Sequence, residues 1–408
     1  MSNRLRAGAA AVEITPDPGT QLAGAVGRHR TAKMVLDPLY ARAVVFEAGG
    51  RRLCLVALDV TIITSEYTEK IRRAAEAYDL APEAVMVHAT QTHSAPPIGH
   101  FMLDRDFPAV PDDMQWLRGG DEAYSEWAAV QAAQSIGKAV ERLNPVEIAA
   151  ASGTDGRWAA NRRAVTLDGD ITMVTGTWAE PQSQASVRYI EGPIDPEVGV
   201  LAVRHAPGDA DTQSFNVPAL ILHHTSHPVC VFPQPVVSAD WPGAWAAEMQ
   251  KTVGEGCVPV VVNGACGNIN PADRSDHRPM GAGLAETTRS VFQHLEFAGE
   301  AALDWRMERV PIPIREVTDE ELEWCREVLN RHAKPPVQED PPGVEREWIE
   351  AASTYSVYLQ RQRSPELEYE IQALRIGDTA IVGLPGEPFA ELGLAIKMAS
   401  PAYPTFIA

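Results

Sequence analysis

Polar side chains that can do chemistry follow several apolar runs in this sequence. The apolar run at residues 85–87 leads into Gln91 and His93 and stops at two prolines, which cannot continue a sheet ladder. Two later apolar runs also lead into polar residues, one into His227 and one into Asn270. An imidazole can transfer protons near neutral pH or bind a metal through a ring nitrogen. The pattern predicts strands whose ends carry catalytic or metal-binding groups.

Two carboxylates stand at the same kind of position. Asp59 follows the apolar run at residues 53–58, and Glu387 follows the run at residues 379–384. In open α/β sheets, ligands bind outside the carboxyl ends of the strands. Five strand-end residues are therefore expected to meet at one edge of a mixed sheet: Asp59, His93, His227, Asn270 and Glu387.

Composition excludes several classes of partner. The 408 residues carry 35 basic and 55 acidic side chains, a formal net charge of −20, which disfavours nucleic acid and anionic membranes because phosphate binding depends on Lys and Arg. The five cysteines include no C-x-x-C pair, so neither a disulfide framework nor a cysteine zinc site is indicated. No apolar run reaches the length of a membrane span, and no leader segment is recognised. We expect a cytoplasmic protein that acts on a small molecule; the sequence does not predict its oligomeric state.

The elements that would position these residues are those of an α/β fold, in which helices flank a mixed sheet. A hairpin is expected where a Gly-Gly turn joins the runs at residues 37–46 and 52–59. Strand–helix–strand units are predicted over residues 53–92 and 219–262, each with a right-handed crossover. These units would place the polar tips at the C-terminal ends of the strands.

The last third of the chain predicts a second set of strands. Alternating runs at residues 303–314 and 367–376 are expected to pair across a helical excursion at about residues 316–362, which begins with the capping-box pattern Thr318-x-x-Glu321. Residues 403–408 resemble the opening of another strand. The whole of residues 1–408 is expected to form one domain.

Seven short motifs occur together in a specific order. They are Val12-Glu-Ile-Thr-Pro16, Leu39-Tyr-Ala-Arg-Ala-Val-Val-Phe46, Leu58-Asp59, Thr92-His93-Ser94-x-Pro96, His227-Pro228, Gly267-Asn-Ile-Asn-Pro271 and Pro385-Gly386-Glu387. In order and spacing they resemble the neutral (non-lysosomal) ceramidase family, specifically its N-terminal catalytic domain. The resemblance covers essentially the whole chain and implies that the C-terminal β-domain of the family is absent from it.

The resemblance also implies a chemistry. Family members hydrolyse an amide with a zinc ion held by two histidines, a glutamate and a tyrosine, and a serine in a Gly-Asp-Val-Ser-Pro turn takes part in the attack. His227 and Glu387 match one histidine and the glutamate. Gln91 stands at the first histidine of the motif Thr-His-Thr-His-Ser-Gly-Pro, and His93 stands at the second. The tyrosine would lie beyond Ala408.

Zinc is therefore the expected cofactor, but because Gln91 and the missing tyrosine remove two of the family's four ligands, weak binding or none is predicted. A catalytic zinc ion usually takes three protein ligands and a water molecule. The candidate ligands are His93, His227 and Glu387, with Asp59 or Asp240 as a further oxygen donor. Gln91 is a poor ligand but can hydrogen-bond a substrate carbonyl or hydroxyl. His93 is either a displaced ligand or a general acid–base, and the sequence leaves both open.

The remaining candidates follow from the family's serine turn and from two arginines. Asn270 occupies the serine position and has no ionisable hydroxyl, and a metal-bound hydroxide would remove the need for one. Asn268 and Asn270 could stabilise an oxyanion. The predicted catalytic residues are His93, Asn270 and Asp59. The predicted substrate-binding residues are Gln91, Arg162, Arg163, Asn268 and Asp240.

Two functions of different classes remain open. The first is a metal-dependent hydrolase that resembles neutral ceramidase and acts on an amide or another polar bond of a small substrate other than ceramide. The second is a carbohydrate-acting or carbohydrate-binding protein that has lost the zinc and serine chemistry of the family. Stoichiometric zinc in the purified protein would favour the first.

Overall fold

A computed structural model describes residues 4–108, 110–174, 187–207, 217–332 and 334–408. The strands in these ranges are, in chain order, β1 (Arg6–Glu13), β2 (Met34–Val35), β3 (Tyr40–Ala48), β4 (Arg51–Leu58), β5 (Val85–Ala89), β6 (Asn144–Thr154), β7 (Ala159–Asn161), β8 (Arg163–Thr166), β9 (Ile171–Met173), β10 (Val187–Ile190), β11 (Glu197–His205), β12 (Ala219–His224), β13 (Val236–Val237), β14 (Val258–Asn263), β15 (Ile269–Pro271), β16 (Leu303–Pro313), β17 (Val337–Gln338), β18 (Gly343–Val344), β19 (Glu366–Ile376), β20 (Thr379–Gly383) and β21 (Thr405–Ile407).

The helices follow the same chain order. They are α1 (Ser65–Ala75), α2 (Glu122–Glu141), α3 (Asp240–Val253), α4 (His277–Phe292), α5 (Asp319–Asn330), α6 (Arg346–Arg363) and α7 (Ala390–Ala399). Short 3₁₀ segments occur at Glu76–Tyr78, Pro82–Ala84 and Asp112–Arg118. Among the described residues, no helix is long and apolar enough to cross a membrane.

The largest sheet has eight strands in the order β14-β12-β11-β6-β1-β3-β4-β5. It is mixed, because β4 pairs with β5 and β12 pairs with β14 in parallel while the other neighbours are antiparallel. The predicted hairpin is confirmed, with Ala48 opposite Arg51. Both predicted strand–helix–strand units are confirmed as well, through α1 and α3.

The two edge strands of this sheet meet. The backbone N–H of Asn263, at the end of β14, donates to Nε2 of His88 in β5 at 3.0 Å. The Asn263 side-chain amide donates to the carbonyl of Thr90 at 3.1 Å. The sheet therefore curls until opposite edges touch, and the loops that follow the two edge strands emerge side by side.

Side chains alternate between the two faces of each strand, so one face of the sheet packs into an outer core and the other into an inner core. In β4, Cys54, Val56 and Leu58 pack outward with residues of α1 and α2. Leu53 and Leu55 of the same strand face the interior of the curl. Because β4 is buried on both faces, its sequence is a continuous apolar run. The predicted α/β class, a mixed sheet core with flanking helices, is confirmed.

A second sheet, in the order β16-β19-β20-β21, packs against the inner core. The predicted pairing of the two alternating runs is confirmed, with Leu303 opposite Ile376. The terminal strand is confirmed also, as β21 pairs in parallel with β20. Helices α5 and α6 lie between β16 and β19 along the chain, and α5 begins with a capping box of Thr318 and Glu321.

Candidate active site

The candidate site lies where the loops after β5, β12, β14 and β20 meet. Gln91 and His93 follow β5, and His227 follows β12. Asn270 follows β14, and Glu387 follows β20. Because the sheet curls, loops from its two edges reach the same place. The structure thus brings together a set of residues that lie almost 300 positions apart in the chain.

His227 is the central residue, and only 1% of its side chain is exposed. Its backbone N–H and its Nδ1 both face the carbonyl oxygen of Ile269, each at 3.0 Å. Since a carbonyl only accepts, Nδ1 carries a proton and Nε2 faces the opposite side of the ring. Nε2 lies 3.6 Å from Oε2 of Glu387. It makes no hydrogen bond of good geometry to any residue that the structure describes.

His93 lies beside this ring. The two imidazoles are edge-on, with centroids 5.4 Å apart, and the His93 ring is also edge-on to Phe232 at 5.7 Å. The carbonyl of His93 accepts a hydrogen bond from the Arg30 guanidinium, which in turn lies over the Phe232 ring. His93 is therefore held by its backbone and by aromatic contact, and the residue as a whole is half-buried.

Arg162 supplies a cation at the same place. Its Nη2 lies 3.9 Å from Oε2 of Glu387 and donates to the carbonyl of Gly267 at 2.7 Å. Its Nη1 donates to Oδ1 of Asn270 at 3.5 Å. A guanidinium fixed in this way can bind a carbonyl or carboxylate oxygen of a substrate.

The two histidines carry different charges. Burial, together with the neighbouring His227, lowers the pKa of His93 to about 3, so this ring is neutral. Burial acts to lower the pKa of His227 too, but the Cys266 thiol and the Glu387 carboxylate overcome it and raise that pKa to about 10. The neighbouring His227 imidazolium in turn lowers the pKa of Glu387. At neutral pH the site therefore contains a neutral imidazole, an imidazolium and a carboxylate.

Cys266 is a site residue that the sequence did not predict. Its thiol donates to Oε1 of Gln91 at 3.0 Å, and the Asn263 amide lies 3.5 Å from its sulfur. Together with Glu387, Cys266 raises the pKa of His227. Gln91 has a backbone φ of 66°, a left-handed conformation that is uncommon outside glycine. The sequence feature that could have identified Cys266 is its position four residues before Asn270, close to the predicted serine-turn position.

Two predicted oxygen donors are bound elsewhere. Asp59 forms a buried ion pair with Arg42, and its carboxylate also accepts the backbone N–H of Tyr40 at 3.0 Å. Asp240 is fully buried, and its carboxylate accepts a backbone N–H at 2.9 Å from Val231 and another at 2.7 Å from the following residue. Neither carboxylate makes a hydrogen bond to His93 or His227, so the structure does not bring them into the group. Their catalytic and substrate-binding roles stay predictions.

Two predicted substrate-binding residues are also engaged with the protein. Asn268 accepts the backbone N–H of Ala390 at 2.9 Å and thereby satisfies the first turn of α7. Arg163 pairs with Glu191 and lies over the Phe389 ring, with 5.1 Å to the centroid. Both residues border the site, but their polar groups already have protein partners. Their contacts with a ligand stay predictions.

A cavity of about 840 Å³ opens beside the site. Phe232, which packs edge-on against His93, forms part of its wall. Asp37 and Arg274 add charged groups, and His277 adds an imidazole, to a lining that also contains apolar side chains. A cavity of this size can hold a small molecule. Its described lining includes none of His93, His227, Glu387 and Arg162, and Phe232 is the residue that connects it to the site.

The predicted zinc ion requires three protein ligands that face one point. His227 Nε2 and Glu387 Oε2 face each other at 3.6 Å and could contribute two. Within the part of the chain that the structure describes, however, no group of three or more His, Cys, Asp or Glu side chains is placed to hold a metal ion. His93, His227 and Glu387 do not form a complete ligand set in this conformation, and zinc stays a prediction.

Comparisons with known proteins identify the fold. A solved structure of the neutral ceramidase from Pseudomonas aeruginosa is similar with a TM-score of 0.68 and 19% sequence identity, over 97% of this chain and 64% of the bacterial chain. A ceramidase complexed with C2 is similar with a TM-score of 0.66 and 18% identity, over 97% of this chain and 65% of that one. The present chain thus spans a little under two thirds of the length of each. No family model and no curated protein matches the sequence. As the sequence motifs predicted, the chain has a neutral-ceramidase-like α/β fold.

Proposed function

We propose that this protein is a hydrolase that cleaves an amide or another polar bond of a small substrate. The observation that carries the proposal is the grouping of four chemically distinct side chains at one place: neutral His93, protonated His227, ionised Glu387 and Arg162. The fold supports the same class of reaction, because the similar solved structures are ceramidases, which cleave an amide.

Each of these groups has a role in such a reaction. Arg162 can stabilise the negative charge that develops on the carbonyl oxygen of the substrate. His227 carries the proton that the leaving group needs, and Glu387 keeps that proton on the ring. His93 is neutral and can accept a proton from an attacking water molecule.

A substrate other than ceramide is favoured by the neighbouring cavity. Its wall contains Asp37, Arg274 and His277, which are charged or polar groups. A long hydrocarbon chain would remove water from these polar groups, which costs free energy. A compact polar substrate could add polar contacts to them instead. We therefore propose a small polar acyl compound as substrate.

A metal dependence is implied by the family resemblance and is a separate part of this proposal. Two facing donors, His227 and Glu387, are too few for a typical zinc site. No step above is assigned to a metal, and the same assay with and without a chelator measures the dependence directly.

The test is a hydrolysis screen with short N-acyl amides and activated esters. His227→Gln should lower kcat/KM by about 10²–10⁴-fold, because it removes the group that protonates the leaving atom. Glu368→Gln is a matched control, since Glu368 lies on the exposed part of β19 and should leave the rate unchanged. If no compound is cleaved faster by the native protein than by His227→Gln, the hydrolase proposal fails.

A further inference from the structure

The loop of residues 22–30 packs beside the candidate site, and the reaction outlined above does not use it. Its two ends are joined, since the backbone N–H of Leu22 donates to the carbonyl of Arg30 at 2.8 Å. Between them, the backbone N–H of Ala23 donates to the carbonyl of Ala95 at 3.0 Å. The loop is thus closed on itself and tied to the segment that follows β5. We call it the supporting loop.

Arg30 holds the backbone of His93. Its guanidinium donates to the carbonyl oxygens of Ala23 and His93 and, through Nη1, to the carbonyl of Gln234 at 2.9 Å. These three carbonyls belong to three separate segments of the chain, and Gln234 lies in the wall of the cavity. The guanidinium therefore fixes the supporting loop, His93 and the cavity wall relative to one another.

Burying Arg30 costs free energy that packing alone would not require. Only 8% of the residue is exposed, and its Nε makes no hydrogen bond within the described part of the chain. Burial lowers its pKa to about 10, and no carboxylate among the described residues offsets that effect. Since a buried charge without an ionic partner is unfavourable, a residue that only filled space here would be apolar. The bonds to the three carbonyls are what distinguish this arginine from a filler.

Gly24 leaves room for the ring of His93. Its φ is 98°, a left-handed conformation that favours glycine. A Cβ added at this position would lie 2.7 Å from the Cβ, Cγ and Nδ1 atoms of His93, well inside the distance of ordinary van der Waals contact. The same ring is edge-on to His227 and Phe232. Its place is therefore set by the glycine backbone as well as by these two rings.

We propose that the supporting loop positions His93 for proton transfer, with Arg30 fixing its backbone and Gly24 setting the place of its ring. The inference rests on the hydrolase function proposed above, in which His93 accepts a proton from water. Neither positioning residue lines the cavity, so their effect should fall on the chemical step rather than on substrate binding. A displacement of about 1 Å can slow catalysis about 10²-fold.

The first test compares two glycines that have the same backbone conformation. Gly19 has a φ of 95°, close to that of Gly24, but a Cβ added to it would meet nothing within 4 Å. Alanine at either position carries similar backbone strain, and only Gly24→Ala pushes on His93. With p-nitrophenyl acetate, Gly24→Ala should lower kcat about 10²-fold and change KM less than about threefold. Gly19→Ala should leave both constants unchanged, and an equal loss of kcat in both variants would overturn the inference.

The second test removes the guanidinium. Arg30→Met fills the space but donates no hydrogen bond, so it should lower kcat by a factor similar to that of Gly24→Ala. Arg30→Lys can still donate to some of the carbonyls and should recover part of the rate. Arg72→Met is the matched control, because Arg72 is also buried but binds Glu370 at 2.7 Å and Gln372 at 3.0 Å. It should lower stability and leave kcat unchanged.

The place of His93 can be measured without any activity, from histidine ring signals in the nuclear magnetic resonance spectrum of isotope-labelled full chain. The His93 signals, assigned with His93→Gln, should shift in Gly24→Ala and Arg30→Met but not in Gly19→Ala or Arg72→Met. Unchanged signals in the first two variants would overturn the inference whether or not the protein hydrolyses an ester.

The remaining outcomes separate this inference from the hydrolase proposal. Shifted His93 signals together with an unchanged kcat would overturn the positioning role and leave the hydrolase proposal intact. Shifted signals in a native protein that cleaves nothing would support the positioning of His93 and refute the hydrolase proposal. If Arg30→Met does not fold, the comparison of Gly24→Ala with Gly19→Ala decides.

Discussion

His88 joins the two edges of the curled sheet, and its replacement should change how stability depends on pH. Its Nε2 accepts the backbone N–H of Asn263 at 3.0 Å, so the ring must remain unprotonated at that nitrogen. Burial lowers the pKa of His88 to about 4. In the unfolded chain the pKa of a histidine is about 6.5. Protonation therefore favours the unfolded chain throughout the interval between these values.

The magnitude follows from linkage. Because the unfolded chain binds the proton first, stability falls as the pH falls through this interval, by up to about 1.4 kcal/mol per pH unit. From about pH 7.5 to about pH 4.5 the contribution of His88 should fall by about 2.5 kcal/mol. His93, His223 and His224 also have lowered pKa values and add to the acid sensitivity of the protein. Their effects occur in both native and variant proteins and cancel in the difference.

The assay is urea unfolding of native protein and His88→Gln at several pH values. Glutamine can still accept the Asn263 N–H but does not titrate. The variant should be less stable near neutral pH, by about 1–3 kcal/mol, and the difference should shrink by about 2.5 kcal/mol as the pH reaches about 4.5. His332→Gln, at an exposed position, is the control and should show a constant difference. A constant difference for His88→Gln would refute the reasoning, because His88 would then not be held neutral by the fold.

Three further substitutions test the contacts around the site by urea or thermal unfolding. Arg42→Met should destabilise the protein by about 3–5 kcal/mol, because it leaves the buried Asp59 unpaired. Combining Arg42→Met with Asp59→Asn should recover part of this loss. If nothing is recovered, the loss of the ion pair is not the cause of the destabilisation. Asn268→Ala removes the hydrogen bonds to the first turn of α7 and should cost about 1–2 kcal/mol, whereas an unchanged unfolding midpoint would contradict the capping role. Gly267→Ala should lower the free energy of unfolding by about 1–3 kcal/mol and lower activity, because the new Cβ would collide with the backbone oxygen of Glu387. Native stability and activity in this variant would show that the loop can move aside.

Periodicity predicted most of the fold because the main strands are buried on both faces. A continuous apolar run such as residues 53–58 predicts a fully buried strand, and the polar residue that follows it marks the end of the strand. Pairings close in sequence, such as the β3–β4 hairpin, followed from the glycines between the strands. Curling of the sheet was not predictable in this way. It depends on contacts between His88 and Asn263, which lie 175 residues apart and have no local signature.

Asp59 shows why a strand-end carboxylate is not by itself evidence of catalysis. Arg42 lies on the neighbouring strand β3, with Ala57 as its register partner, and so reaches the carboxylate just beyond the end of β4. An acid that is neutralised by a buried guanidinium has a structural partner already. The pairing of Arg42 with Asp59 follows from the register of β3 and β4, which becomes known once the hairpin is placed. His227 Nε2 and Glu387 Oε2, in contrast, face each other at 3.6 Å, and that nitrogen makes no hydrogen bond to a residue that the structure describes.

The exchange of an imidazole for an amide at position 91 has consequences beyond the loss of one ligand. A neutral imidazole offers a lone pair to a metal, whereas the Gln91 oxygen accepts a hydrogen bond from the Cys266 thiol. Asn270 offers no hydroxyl, and the Cys266 sulfur four residues earlier is in contact with Gln91. A family motif identifies positions, but the reaction depends on which neighbouring side chains fill the space when one position changes.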